Sequence, residues 1–105
     1  MAKMSRFSDK VAIITGAAQG MGATEAILFS KEGANIVVAD MQEDNAKKTV
    51  SSIIARGGES IFVKLDVTKE EDWRTVIKTT VDKYGRIDVL VNNAGIYRIE
   101  TVEET

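Results

Sequence analysis

The residues in this chain that could do chemistry each stand where a short, largely apolar run ends. Gly16, Gly20 and Gly22 follow Val11-Ala12-Ile13-Ile14-Thr15, Asp40 follows Ile36-Val37-Val38-Ala39, Asp66 follows the run from Ser60 to Leu65, and Asn92-Asn93 follows Val89-Leu90-Val91. The glycines divide the work of one turn. Gly16 lets the chain leave a strand sharply, Gly20 removes a side chain where a phosphate must meet backbone N–H groups, and Gly22 lets a following helix pack close to the strand. Unpaired N–H groups and the positive end of a helix dipole then converge on one point, which suits a pyrophosphate. The spacing is G-x3-G-x-G, neither G-x-G-x-x-G nor G-x4-G-K-[ST], since no Lys follows Gly22. The same glycines would also serve merely to join a strand to a helix. Asp40 lies eighteen positions beyond Gly22, close to the offset at which a dinucleotide fold places the carboxylate that takes the adenosine ribose hydroxyls. A lone Asp ending a strand would more often be a turn residue. Zero His and zero Cys exclude imidazole bases, thiolate catalysis, zinc fingers and disulfides, so any acid or base must be Tyr, Lys or a carboxylate.

The elements that must position these residues are legible in the spacing. Val11 to Thr15 reads as a first strand, and Met21 to about Lys31 as a helix stopped at Gly33. Ile36 to Ala39, apolar without alternation, fits a parallel strand covered on both faces. Asp44 to Arg56 reads as a second helix with Ala46, Val50, Ile53 and Ile54 on its buried face, ended by Gly57-Gly58. Ser60 to Leu65 is a third strand. Thr68-Lys69-Glu70-Glu71 reads as a capping box opening a third helix, whose buried stripe is Trp73, Val76, Ile77, Val81 and Tyr84 and which Gly85 closes. Ile87 to Val91 is a fourth strand, and Glu100 to Thr105 looks like the start of another helix. The order β-α-β-α-β-α-β with right-handed crossovers gives an α/β fold: a Rossmann-type doubly wound parallel sheet, order 3-2-1-4, in three α/β/α layers. Strands one and four would then lie side by side where the winding reverses, and the glycine turn, Asp40, Asp66 and Asn93 all fall at the carboxyl ends there.

Thr15-Gly16-Ala17-Ala18-Gln19-Gly20-Met21-Gly22, Asp66-Val67 and Asn92-Asn93-Ala94-Gly95, in that order, resemble the short-chain dehydrogenase/reductase family from about Lys10 onward. The division is a tail over 1–9 and a cofactor-binding domain over 10–105. The resemblance implies that Gly16, Ala18, Gln19, Gly20 and Met21 line the pyrophosphate and its ribose, with Gly22 behind them. It implies that Asp66 and Val67 flank the adenine, the first through its carboxylate and the second through backbone, and that Asn93, Ala94 and Gly95 lie near the nicotinamide ribose. Asn92 would tie strand four to its neighbour. NAD is expected over NADP, because Asp40 repels a 2′-phosphate and neither the turn nor Met41-Gln42 offers a cation. Relatives carry a catalytic Tyr-x-x-x-Lys, with a Ser before it and an Asn on the intervening helix. Here Tyr84 is followed four on by Asp88, and Tyr97 by Thr101. The resemblance thus implies the amino-terminal half of an oxidoreductase that moves hydride between nicotinamide and an alcohol or carbonyl, with its catalytic residues beyond Thr105 and the isolated chain inert.

Fourteen basic and sixteen acidic residues, with a net charge of −2 and no basic block, point to neither nucleic acid nor an anionic membrane. The stretch from Met1 to Lys10 is polar, and no apolar run is long enough to span a bilayer, so a soluble cytoplasmic protein is the default. The acids Glu70-Glu71-Asp72 diverge around a helix and suit dipole compensation, so no metal site is expected. Trp73 and Tyr84 read as core contacts, and Tyr97 is placed near the substrate mouth. A homodimer or homotetramer is the family's expectation. Two other readings compete: a non-catalytic nucleotide-binding or scaffolding module, and an S-adenosylmethionine-dependent methyltransferase, against which Asn-Asn-Ala-Gly argues.

Overall fold

The structure, a computed structural model, describes residues 9–93. The expectations for Ala94, Gly95, Tyr97 and the helix from Glu100 lie outside the described residues. The elements run β1 (Val11–Thr15), α1 (Gly20–Lys31), β2 (Asn35–Asp40), α2 (Glu43–Ala55), β3 (Glu59–Lys64), α3 (Glu70–Tyr84) and β4 (Val89–Asn92). All strand pairs are parallel, in the order β3-β2-β1-β4. This is the doubly wound arrangement that the spacing implies.

Alternating side chains explain why the strand runs are apolar throughout. Ala12, Ile14, Ile36 and Val38 pack with Ala26 of α1 and with Ala46 and Ile53 of α2. Ile13, Val37, Ala39 and Val63 pack instead with Trp73 and Val76 of α3. Each central strand therefore buries both of its faces, and a polar residue on either would have no water to bond. The helices end at Gly33, Gly57 and Gly85, all with positive φ. Gly58 marks the contact between α1 and α2, because a Cβ there would overlap the Ser30 hydroxyl and the Ile53 side chain. Among the described residues no helix is long and apolar enough to cross a membrane.

Several expected details differ. On α2, Ile54 is 55% exposed. Thr49 takes its place in the buried set with Ala46 and Ile53, because the stripe that meets the sheet follows the i, i+3, i+7 positions and leaves Ile54 on the flank. On α3, Val81 is exposed and Thr80 is buried. The Thr80 hydroxyl is accommodated inside by donating to the Val76 carbonyl at 2.7 Å. The capping box does not form. Lys69 is the N-cap of α3 and makes no side-chain cap bond. Thr68 instead donates its hydroxyl and its N–H to Asp66 Oδ1, at 2.6 and 3.0 Å. A carboxylate two residues back is a stronger acceptor than the hydroxyl, so Thr68 becomes the donor. Asp72 then closes the loop by accepting the Asp66 N–H at 2.9 Å. Strand β4 begins at Val89, two residues later than expected, because Asp88 bonds sideways. Its carboxylate takes the Val11 N–H at 2.9 Å, and its own N–H donates to the Val11 carbonyl at 2.9 Å.

Candidate functional site

The glycine turn is built by a close approach. Gly16 leaves β1 with φ +64° while its N–H donates to the Ala39 carbonyl at 3.0 Å. A Cβ at Gly22 would run into the Gly16 carbonyl, so α1 can sit this near the strand end only with glycine at that position. Gly20, also at φ +64°, has nothing within 4 Å of where a Cβ would be, so the space above the turn is open. Helix α1 has Gln19 as its N-cap, without a side-chain cap bond, and no acidic residue in its first turn. Helices α2 and α3, by contrast, open with Glu43 and Asp44 and with Glu70, Glu71 and Asp72. Amides with no carboxylate of their own beside an open space form a cradle for an anion.

Asp40 faces this turn from the end of β2. Its Oδ2 accepts the Ala18 N–H at 3.1 Å and its Oδ1 accepts the Gln42 N–H at 2.9 Å. Beside it lies a cleft of ≈ 220 Å³ lined by Gly16, Ala39, Asp40, Met41, Gln42, Leu65 and Val67. The fold thus brings Gly16, Asp40 and Val67 to one hollow at the carboxyl edge of the sheet. Asp66 stands next to Val67, its carboxyl held below the usual aspartate range first by the Thr68 hydroxyl and then by the Thr68 N–H. The Val67 carbonyl accepts the Trp73 indole N–H at 3.0 Å, which agrees with Trp73 as a core contact. Met21 is 72% exposed beside the turn.

On the other side of β1, Asn92 Oδ1 accepts the Thr15 hydroxyl at 2.9 Å, the inter-strand tie expected of it. Asn93 donates from Nδ2 to the Thr15 carbonyl at 3.1 Å and to Glu25 Oε1 at 2.8 Å. It therefore staples the end of β4 to both β1 and α1. Tyr84 lies at the opposite edge. Its hydroxyl donates to Glu59, the first residue of β3, at 3.1 Å, and burial followed by the Glu59 charge pushes its pKa well up. It has no place in the cleft.

The reading of the sequence missed Thr49 and Glu25. Thr49 is buried, and its hydroxyl donates to the Ala17 carbonyl at 2.9 Å. The available signal was a polar residue three positions beyond Ala46 on an apolar stripe. Glu25 carried none, because an acid on a helix reads as solvated.

A doubly wound parallel sheet with an anion cradle and an acidic strand end at its switch point defines the nucleotide-binding class of α/β proteins. A family model described as short chain dehydrogenase matches residues 10–105, and the chain belongs to that family of oxidoreductases. Membership removes the methyltransferase alternative. The chain is 41% identical over 102 residues to a cyclopentanol dehydrogenase of Comamonas sp., covering 97% of this chain and 41% of the relative. A metagenomic short-chain oxidoreductase solved in complex with NADP superposes with a TM-score of 0.82 at 33% identity, covering 88% of this chain and 42% of that one. A short-chain dehydrogenase/reductase of Burkholderia phymatum in complex with NAD superposes at 0.79 with 32% identity, covering 83% and 31%. The chain spans about two fifths of the length of the curated relatives it matches.

Proposed function

We propose that residues 10–105 form the NAD-binding half of an oxidoreductase that transfers hydride between nicotinamide and an alcohol or carbonyl, of the kind the cyclopentanol dehydrogenase relative represents. The observation that carries this reading is the single hollow shared by the glycine turn, Asp40 and Val67. The residues present fit the cofactor. The amides of Gly20, Met21 and Gly22, with Gln19 ahead of them, would hold the diphosphate over the open space at Gly20, while Ala18, whose N–H goes to Asp40, would line the turn beneath it. Asp66 and Val67 would flank the adenine, and Asn93, Ala94 and Gly95 the nicotinamide ribose. When bound, NAD would supply the hydride acceptor, while this chain orients it and sets the local electrostatics.

NAD is preferred to NADP on charge. Asp40 spends one lone pair of each oxygen on a backbone N–H, and a carboxylate has about four acceptor sites, so it retains capacity for two ribose hydroxyls. A 2′-phosphate at the same place would meet that negative charge. The cation in register with Asp40 is Lys64, and its charge acts on Glu43, whose carboxyl is held low chiefly by Lys47 and in smaller part by Lys64. Relatives are solved with either cofactor, so the choice rests on Asp40. Catalytic Tyr and Lys would come from outside this chain, which alone would bind without turnover, in a cytoplasmic homo-oligomer.

Calorimetric titration with NAD and NADP tests the reading. Tighter binding of NAD supports it, and equal affinity for the two overturns the assignment to Asp40. A non-catalytic nucleotide-binding module would bind identically, so the longer protein must also be assayed for alcohol oxidation.

A further inference from the structure

We infer that Thr49 is a positioning residue for cofactor discrimination, acting on Asp40 through one peptide group of the glycine turn. The inference rests on the NAD-binding reading above and extends it to a residue of α2 that touches no part of the cleft. The Ala17 carbonyl and the Ala18 N–H belong to the same planar peptide, and in a trans peptide they point in opposite directions. Thr49 Oγ1 donates to that carbonyl at 2.9 Å, and Asp40 Oδ2 accepts from that N–H at 3.1 Å. The peptide is thus pinned from behind by α2 and from in front by the end of β2.

The neighbouring geometry makes this pin consequential. Residues 16 and 20, both glycines at φ +64°, bracket the segment, so the backbone on either side has torsional freedom that side chains do not limit. Ala17 and Ala18 are buried, at 0% and 6% exposure, so water does not replace either partner. One hydroxyl proton serves one acceptor at a time. The alternatives for Thr49, the Ala18 and Asn45 carbonyls, are both at 3.5 Å, and Ala17 is the partner. Without the hydroxyl, the Ala17 carbonyl loses its buried donor and the peptide can rotate. The Ala18 N–H then turns away from Asp40, whose carboxylate keeps only the Gln42 N–H at 2.9 Å and swings in the cleft. A carboxylate so loosened grips ribose hydroxyls less well and repels a 2′-phosphate less sharply.

The test titrates NAD and NADP into the full chain and into Thr49→Val and Thr49→Ser. Valine keeps the volume and removes the hydroxyl, whereas serine keeps it. Thr49→Val is expected to weaken NAD by about tenfold and NADP by much less, shrinking the preference, while Thr49→Ser restores it. A general loss of structure would lower both affinities together, and serine would not restore the ratio. An unchanged NAD-to-NADP ratio in a folded Thr49→Val overturns the inference and leaves the NAD reading standing. An unmutated chain that binds neither cofactor overturns both. If the valine variant does not fold, the amide exchange rate of Ala18 in the unmutated chain decides. Protection well above that of the amide of Gln19, an exposed residue, supports the pin, and equal rates overturn it.

Discussion

Asp40 carries most of the chemical meaning of this chain in one side chain, because its two oxygens hold the turn through Ala18 and the strand end through Gln42. Replacing it with alanine strands the Ala18 N–H and removes the proposed ribose acceptor. Asp40→Ala should therefore weaken NAD by about ten- to a hundredfold, as expected for about 1–3 kcal/mol, and bring NAD and NADP affinities closer. Isothermal titration of both cofactors measures this. Asp88 gives a pH signature that owes nothing to cofactor. Its carboxyl is held below the usual range first by Arg86 and, against burial, by the Val11 N–H. A depressed folded pKa adds stability that is fully present above the ordinary aspartate value of about 3.9 and is lost as pH falls through the lower folded value. Asp88→Asn should lower the melting temperature at neutral pH, and the gap from the unmutated chain should narrow in acid. A gap that stays constant from neutral pH into acid would contradict the role.

The elements meet where small or polar residues permit it. Gly22→Ala would drive a methyl group into the Gly16 carbonyl. The shift of α1 that this forces should cost about 1–3 kcal/mol and open the turn, seen as a lower melting temperature together with weaker NAD binding. Ser60 offers the opposite case. Its hydroxyl is buried in β3 and finds no hydrogen-bond partner among the described residues. Ser60→Ala should therefore raise stability, by up to about 1 kcal/mol, in chemical denaturation, because it removes an unsatisfied polar group without adding volume. The elements themselves were readable because each rests on local pattern. Ile36 to Ala39 announced a strand buried on both faces, and Ala46 with Ile53 announced the inner side of α2. The start of α3 was not readable, since whether Thr68 accepts from the helix or donates to Asp66 depends on a loop conformation that residue types alone leave open.

At the scale of the whole molecule, function follows from adjacency. Pairing β1 with both β2 and β4 sets the glycine turn between Asp40 on one side and Asn93 on the other, although more than fifty residues separate those two side chains. The full chain should accordingly release heat on binding NAD yet show no absorbance change at the nicotinamide wavelength with simple secondary alcohols; turnover by these 105 residues alone would refute the proposed division of labour. What the chain reveals as text is its repeating order of strand and helix, the glycine spacing and the acid that ends the second strand, because periodicity and offsets are properties of neighbours along one line. Tertiary structure alone decided that Thr49 reaches back thirty-two residues to the Ala17 carbonyl, that Asp66 captures Thr68, and that Asn93 bonds Glu25. Those bonds depend on how helices dock against a twisted sheet, and a hydroxyl or amide finds its partner only after docking has brought it within about 3 Å.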